Sequence, residues 1–383
     1  MKTARFLTRP VRSAATAAVW LGATWPCLAS VGCTTRASPS DDRPSRAQGT
    51  IEAHTGSAPD AAGQAASGDA GLVEAPVSGD FDEEAATLTL LDPGASPRRK
   101  LRYAWRSGLK EELTLELRTF ASTETSDAQT PGIPLPPVRI VIAIDAVDVS
   151  ADGDLHYAWR VTAADVLAEP QTPDQLSDGM RAEVAVVAHV SGDGVTSSSG
   201  IARRVTIDPG SAAKGAGTGE MVEQIDQTLR NAPAPFPDEP IGLGARWQRV
   251  CQVASRDAHI TQTDTFVLVG LSGGRGTLDD VLAQTAPPQV LRTPGMRSGD
   301  QARMESMLVS GSAKTHFDLA HLVPRTQIES TTTMVVSGHA AGAASQRTTM
   351  VLRVSIALAG RSIRLRSAPP SSEAAAPGAD AHQ

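Results

Sequence analysis

From Lys110 to Leu358 apolar residues recur at every second position, in runs that repeatedly exceed ten residues. That period excludes a helix for those runs, because successive side chains alternate sides only in an extended strand. Within the alternating run 110–121, Leu113, Leu115 and Leu117 share one face, and Thr114, Glu116 and Arg118 share the other. Val138–Val149 is a β-branched run, and 154–166, 245–255, 259–271, 303–319, 326–336 and 348–358 carry the same signature. Turn signals fall between them at Ala151-Asp152-Gly153-Asp154, Ser191-Gly192-Asp193-Gly194 and Ser272-Gly273-Gly274. Two segments have a helical period instead: Pro173 to about Val187, and Gly219–Arg230 with Met221, Val222, Ile225 and Leu229 on one side. The fold expected is mainly β. It is a large antiparallel curved sheet or half-open barrel, or a two-sheet sandwich, with two short helices. Aromatics are only 3% of the chain, so the core must rest on Val, Leu, Ile and Ala.

The ends read differently. Residues 34–80 and 368–383 are rich in Ser, Ala, Gly, Asp and Pro and poor in large apolar side chains. Such segments bury too little surface to offset their ordering entropy, which predicts a disordered tether and tail around a folded middle. A coil as long as the tether reaches roughly 40 Å. The organisation expected is therefore a leader at 1–32, a tether at 33–80, a β-rich domain at 81–367 and a tail at 368–383.

The leader has three parts. Lys2, Arg5, Arg9 and Arg12 make a basic start, Ser13–Gly32 carries no charge, and small residues lead to a cysteine at Ala29-Ser30-Val31-Gly32-Cys33. This resembles the lipobox of bacterial lipoproteins, although Ser30 stands where that family usually has Leu. The resemblance implies cleavage between Gly32 and Cys33, acylation of Cys33 (palmitate among the chains), and attachment to a lipid bilayer. Thr34 after the cysteine implies the outer membrane; the alternative is a periplasmic or secreted protein. Several acyl chains give stable anchoring where one does not. Cleavage removes Cys27, so the mature chain is expected to keep Cys251 as an unpaired, buried thiol.

One internal echo is present. Leu101-Arg102-Tyr103-Ala104-Trp105-Arg106 recurs as Leu155-His156-Tyr157-Ala158-Trp159-Arg160, with a looser copy at Gly244–Arg249. In strands the aromatics share a face. Tyr103, Trp105, Tyr157 and Trp159 are thus either a candidate ligand platform or the large core residues of an aromatic-poor sheet. The echo raises the question of a duplicated hairpin unit. The segment Phe236-Pro237-Asp238-Glu239-Pro240-Ile241-Gly242-Leu243-Gly244 resembles a connector in uncharacterised secreted bacterial β-proteins and carries no chemistry of its own.

Four patterns bear on chemistry, and each has a plainer reading. Gly270-Leu271-Ser272-Gly273-Gly274 fits the hydrolase pattern G-x-S-x-G, but a strand rather than a helix follows it. Asp148–Asp154 matches the first half of a calcium loop, yet Trp159 stands where the bidentate Glu belongs. His316, Asp318 and His321 could ligate zinc only if the strand turned. Gly215–Gly219 precedes a helix but lacks the third glycine of a dinucleotide site. No catalytic residue, metal site or cofactor is expected.

The net charge of −7 becomes more negative once the basic leader is gone, and no basic run remains to meet nucleic acid. The function expected is that of a cell-envelope lipoprotein that binds an apolar ligand or an envelope protein without catalysis. The alternative is a structural or assembly lipoprotein, and a hydrolase is remote.

Overall fold

The alternating runs pair with one another in a computed structural model that describes residues 86–125, 129–170, 174–210, 216–255, 258–291, 301–339 and 346–363. In chain order the strands are β1 (Thr87–Asp92), β2 (Lys110–Thr125), β3 (Gln129–Pro134), β4 (Val138–Val149) and β5 (Leu155–Val166). Helix α1 (Asp174–Val186) follows, then β6 (Ser191–Thr196), β7 (Ala202–Asp208) and helix α2 (Ala216–Asn231). The second half holds β8 (Arg246–Ser255), β9 (Ala258–Ser272), β10 (Arg275–Ala286), β11 (Gln289–Leu291), β12 (Gln301–Asp318), β13 (Arg325–His339) and β14 (Gln346–Ser362). With 18 residues, β12 is about 60 Å long.

All of these strands join one antiparallel sheet, ordered β1-β8-β9-β10-β12-β13-β14-β2-β4-β5-β6-β7, with β3 beside β2 and β11 beside β12. Its ends, β1 and β7, do not pair with each other, so the sheet is open and is neither a closed barrel nor a two-sheet sandwich. Two meanders build it. The strands from β2 to β7 form one, those from β8 to β14 form the other, and β14 runs antiparallel to β2 between them. That order sets a task for the connection after β7. The chain stands at one edge and must return to β8, next to the opposite edge. Helix α2 occupies that return, and its residues face side chains of β8, β9, β10 and β12–β14.

The two-residue period puts Leu113, Leu115, Ile140, Ile142, Ile144 and Leu155 inside, each 2% exposed or less. Burying each such side chain contributes about 1.5–3 kcal/mol. They belong to a large cluster that also holds Tyr103, Tyr157, Trp159, Phe236, Trp247 and Phe266. A second cluster, rich in methionine, holds Met304, Met307, Met334 and Met350 with Val253, Ile260 and Leu352.

Several expectations change. Ser191–Gly194 is not a turn but the start of β6. Its glycines are there because rings of β5 lie over them: a Cβ at Gly194 would sit 2.1 Å from Cζ of Tyr157, and one at Gly192 2.0 Å from the Thr206 carbonyl oxygen. Strand β3 reads Gln-Thr-Pro-Gly-Ile-Pro, a composition that hides a strand, and its Gly132 lies against the Phe120 ring. The first copy of the echo, 101–106, lies outside the sheet strands, whereas the second opens β5. Cys251 is buried at 4% exposure, as expected, but it is disulfide-bonded rather than unpaired. Its partner lies outside the described residues, as do Gly32, Cys33, the leader, the tether and the tail.

Candidate functional site

Where β9 and β10 cross the buried face, polar residues occupy positions that the alternation assigns to the core. In β9 the inward series is Ile260, Gln262, Asp264, Phe266, Leu268. In β10 it is Leu278, Asp280, Leu282, Gln284. Register places Asp264 opposite Arg249 of β8, Gln262 opposite Gln284, and Phe266 opposite Asp280. The result is a polar belt beside the two apolar clusters.

The belt is bonded inward. Arg249 donates from Nε and Nη2 to Asp264 Oδ2 at 2.8 and 2.7 Å, with the two side chains only 8% and 1% exposed. Its Nη1 donates to Asn231 Oδ1 of α2 at 2.9 Å. Gln262 Nε2 donates to both oxygens of Asp264, at 3.0 and 2.9 Å, and Gln284 Nε2 donates to Gln262 Oε1 at 2.8 Å. A buried ion pair with its remaining lone pairs satisfied is tolerable, and removal of one partner from such a pair costs about 3–5 kcal/mol.

Between this belt and α2 lies a cavity of about 70 Å³. Gln224, Gln227, Thr228 and Asn231 line it from the helix, with Arg249, Asp264 and Asp280 below, and Phe266, Leu282, Ile328, Ile356 and Leu358 form its apolar wall. Among the described residues Asp280 Oδ1 and Gln227 Oε1 are buried with no hydrogen-bond partner, while the Asp280 carboxyl as a whole is reached by the Val281 and Thr265 amides. Burial drives the Asp280 carboxyl well above the usual carboxylate range, and the Asp264 charge adds to that against the opposing pull of Arg249.

A second polar cluster sits at the loop between β12 and β13. Glu111, 3% exposed, accepts from His321 Nδ1 at 2.7 Å and from the backbone amides of Leu322 and Val323 at 3.1 and 2.9 Å. Ser362 Oγ lies 3.2 Å from the same His321 Nδ1. A Ser-His-acid relay uses opposite ring nitrogens, so both contacts on Nδ1 give a loop anchor and not a nucleophile.

The residues singled out from the sequence lie elsewhere. Tyr103, Trp105, Tyr157 and Trp159 are buried at 4, 9, 2 and 3% exposure. Tyr103 stacks on Trp105 at 4.4 Å and donates to the Ala234 carbonyl at 3.2 Å. Burial pushes the Tyr157 phenol up to about 12. These rings are inside the core, not a surface platform. Asp148–Asp154 is the β4–β5 hairpin, closed by Gly153 N–H to Ser150 O at 3.0 Å, and Asp154 pairs with Arg203 at 2.7 Å. His316 meets Thr277, Asp318 meets Arg275, and His321 meets Glu111, so the three do not converge. Among the described residues no three His, Cys, Asp or Glu side chains gather to hold a metal. Ser272-Gly273-Gly274 is the β9–β10 turn, with both glycines at positive φ (56° and 85°). Gly217 and Gly219 lie within α2, and Gly215 is outside the described residues.

The belt and cavity have no counterpart among those expectations. One signal was available: Thr261-Gln262-Thr263-Asp264-Thr265 is polar at five successive positions inside an otherwise alternating strand. A strand that is polar on both sides leaves nothing to mark which side is buried.

No family model matches the chain, and no curated protein matches it. Among solved structures, the InvG secretin-domain β-barrel of the Salmonella SPI-1 injectisome aligns at 10% identity over 70% of this chain and 66% of its own, with a TM-score of 0.13. OccK8 (OprE) of Pseudomonas aeruginosa aligns at 11% identity over 68% of this chain and 100% of its own, with a TM-score of 0.16. At those scores neither carries an argument about fold or role. Among the described residues no helix is long and apolar enough to cross a membrane, which leaves β-barrel spans unaddressed. The chain is thus an open-sheet β protein whose site must be read from its own geometry.

Proposed function

We propose that this protein is an exported, lipid-anchored component of the cell envelope, and that its folded body binds a ligand and does no chemistry. Anchoring rests on the leader and on Gly32-Cys33. Binding rests on one observation: the cavity under α2, lined by polar side chains of the helix and the belt together with an apolar wall. A pocket with a few convergent polar groups on an apolar lining is the usual form of a small-ligand site. Its volume of about 70 Å³ suits a small group and not an acyl chain, which narrows the apolar-ligand expectation. An assembly role is the second reading. Among the described residues no strand pairs with the outer edge of β1, where Leu91 is 51% exposed, and this favours it, since an unpaired edge accepts another strand.

The anchor has a sharp test, because one sulfur cannot hold both a thioether and a disulfide. The Cys33 sulfur either carries the acyl thioether or is held in a disulfide. Intact mass and detergent partitioning of wild type and Cys33→Ala decide between them. Acyl mass and detergent partitioning in wild type only are the expected result. An aqueous, unacylated wild type sinks the anchor.

A further inference from the structure

The negative total hides one local reversal, which corrects the expectation that no basic run follows the leader. Residues 97–106, between β1 and β2, carry Arg98, Arg99, Lys100, Arg102 and Arg106 and no acid. Backbone bonds fix this segment. Arg99 and Ile241 exchange N–H to carbonyl bonds at 2.9 Å, Tyr103 N–H donates to the Ser198 carbonyl at 2.7 Å, and Ala104 N–H donates to the Leu319 carbonyl at 2.6 Å. Leu101, Tyr103 and Trp105 are buried, while Arg98, Lys100 and Arg106 are exposed. The core thus grips one side of the segment and leaves the cations on the other.

Part of this charge is already used. Asp238 takes Lys100 at 3.3 Å and also Arg102. Arg98 spends only Nε, on the Gly94 carbonyl, and among the described residues Arg98, Arg99 and Arg106 meet no carboxylate. With Glu239, and with Arg246 opposite Asp92, six cations meet three carboxylates along this corner. Two exposed leucines belong to it: Leu91 near the end of β1, and Leu243, whose carbonyl accepts from Ala95 N–H. Single-stranded nucleic acid would need aromatic faces to stack on, and here Tyr103 and Trp105 are buried. A bilayer surface uses what is present: basic side chains meet phosphates and apolar ones enter the headgroup boundary.

Building on the envelope location argued above, we propose that this corner docks on the headgroups of an anionic phospholipid bilayer, with Arg98, Arg99 and Arg106 on phosphates and Leu91 and Leu243 at the boundary. Guanidinium forks match phosphate oxygens. The acidic remainder of the body is a small obstacle, because charges more than about 8 Å apart are largely screened at physiological salt. Weak attraction is enough for a tethered body, since the anchor keeps it concentrated at the surface.

The test is co-sedimentation of the mature chain from residue 33, carrying Cys33→Ala so that no acyl chain does the binding. Vesicles of phosphatidylglycerol mixed with phosphatidylcholine are compared with phosphatidylcholine alone. Binding is expected to the mixed vesicles only, and to be lost in about 0.5 M salt. Arg99→Gln with Arg106→Gln should lose about tenfold or more in affinity, the worth of two basic side chains at an anionic surface. Arg303→Gln with Arg353→Gln removes the same charge from exposed positions of β12 and β14 and should bind as wild type does. Equal loss in both pairs overturns the proposal, as does binding to both vesicles alike, to neither, or in spite of salt; the vesicle and salt comparisons need no variant to fold. A duplex oligonucleotide held as tightly as the mixed vesicles, and released by the Arg99 and Arg106 pair, gives the corner to nucleic acid instead. Acylation is read separately by mass. Patch-dependent vesicle binding without acyl mass keeps the docking surface and removes the anchor, and acyl mass without vesicle binding does the reverse.

Discussion

Glu111 holds the β12–β13 loop to β2 with one carboxylate, and the hold depends on its charge state. Burial is the largest influence on it and raises its pKa from 4.5, against the pull of His321 and the Leu322 and Val323 amides. The folded protein therefore keeps that proton more tightly than the unfolded chain does. The stabilisation this group gives is fully present below 4.5 and is lost as pH rises through the raised value. Glu111→Gln removes the titration, so its stability profile should be flatter than wild type between pH 4.5 and the raised value, by at most about 1.4 kcal/mol per pH unit. Urea unfolding across pH measures this, and parallel profiles would place the titration elsewhere. Neither Glu111 nor Asp280 was legible in the sequence as a buried acid. Glu111 shares the inward register of Leu113 and Leu115, but it sits beside Lys110 and Glu112 at a strand start, where polar residues are ordinary. Only the pairing of β2 against a loop 210 residues away makes it an interior group.

At the scale of elements, long strands were legible and short ones were not. The expected runs at 110–121, 138–149 and 259–271 fall on β2, β4 and β9, because every second side chain of each is buried and most of those are apolar, the Gln262 and Asp264 positions of β9 excepted. Both helices appear within a few residues of where their periods place them. Strand β6 escaped notice because its side chains had to be absent: the pattern of a strand is written in side chains, and Gly192 and Gly194 yield that space to Trp159 and Tyr157. This makes β6 sensitive to a single methyl. Gly194→Ala should destabilise by about 1–3 kcal/mol, the usual effect of overpacking a core. Gly179→Ala in α1, where a Cβ meets nothing within 4 Å, should instead stabilise by about 0.5–1 kcal/mol. Denaturant midpoints report both, and a neutral Gly194→Ala would show that the Tyr157 ring has room to move.

For the whole molecule, the decisive contact is β14 on β2. Ser122 Oγ donates to the Val351 carbonyl across 229 residues, and among the described residues the two meanders have no other strand pair in common. A chain ending after His339 would expose the inward side chains of β2 and β13 together, Leu115 and Met334 among them. It should lose cooperative urea unfolding as one unit, and a fragment that still melts in a single transition at the wild-type midpoint would contradict that assignment. The sequence displayed both strands as amphipathic runs, yet nothing in either names its neighbour, since pairing partners are chosen by what remains uncovered once local hairpins have formed. Because Ser122 and Val351 are 229 residues apart, β2 waits through a long stretch of synthesis before its neighbour exists. Contacts between distant segments form slowly, since loop closure precedes any gain from pairing. For a chain proposed to leave the cytoplasm unfolded, that delay is an advantage: the two meanders stay unjoined during threading until β14 arrives on the far side.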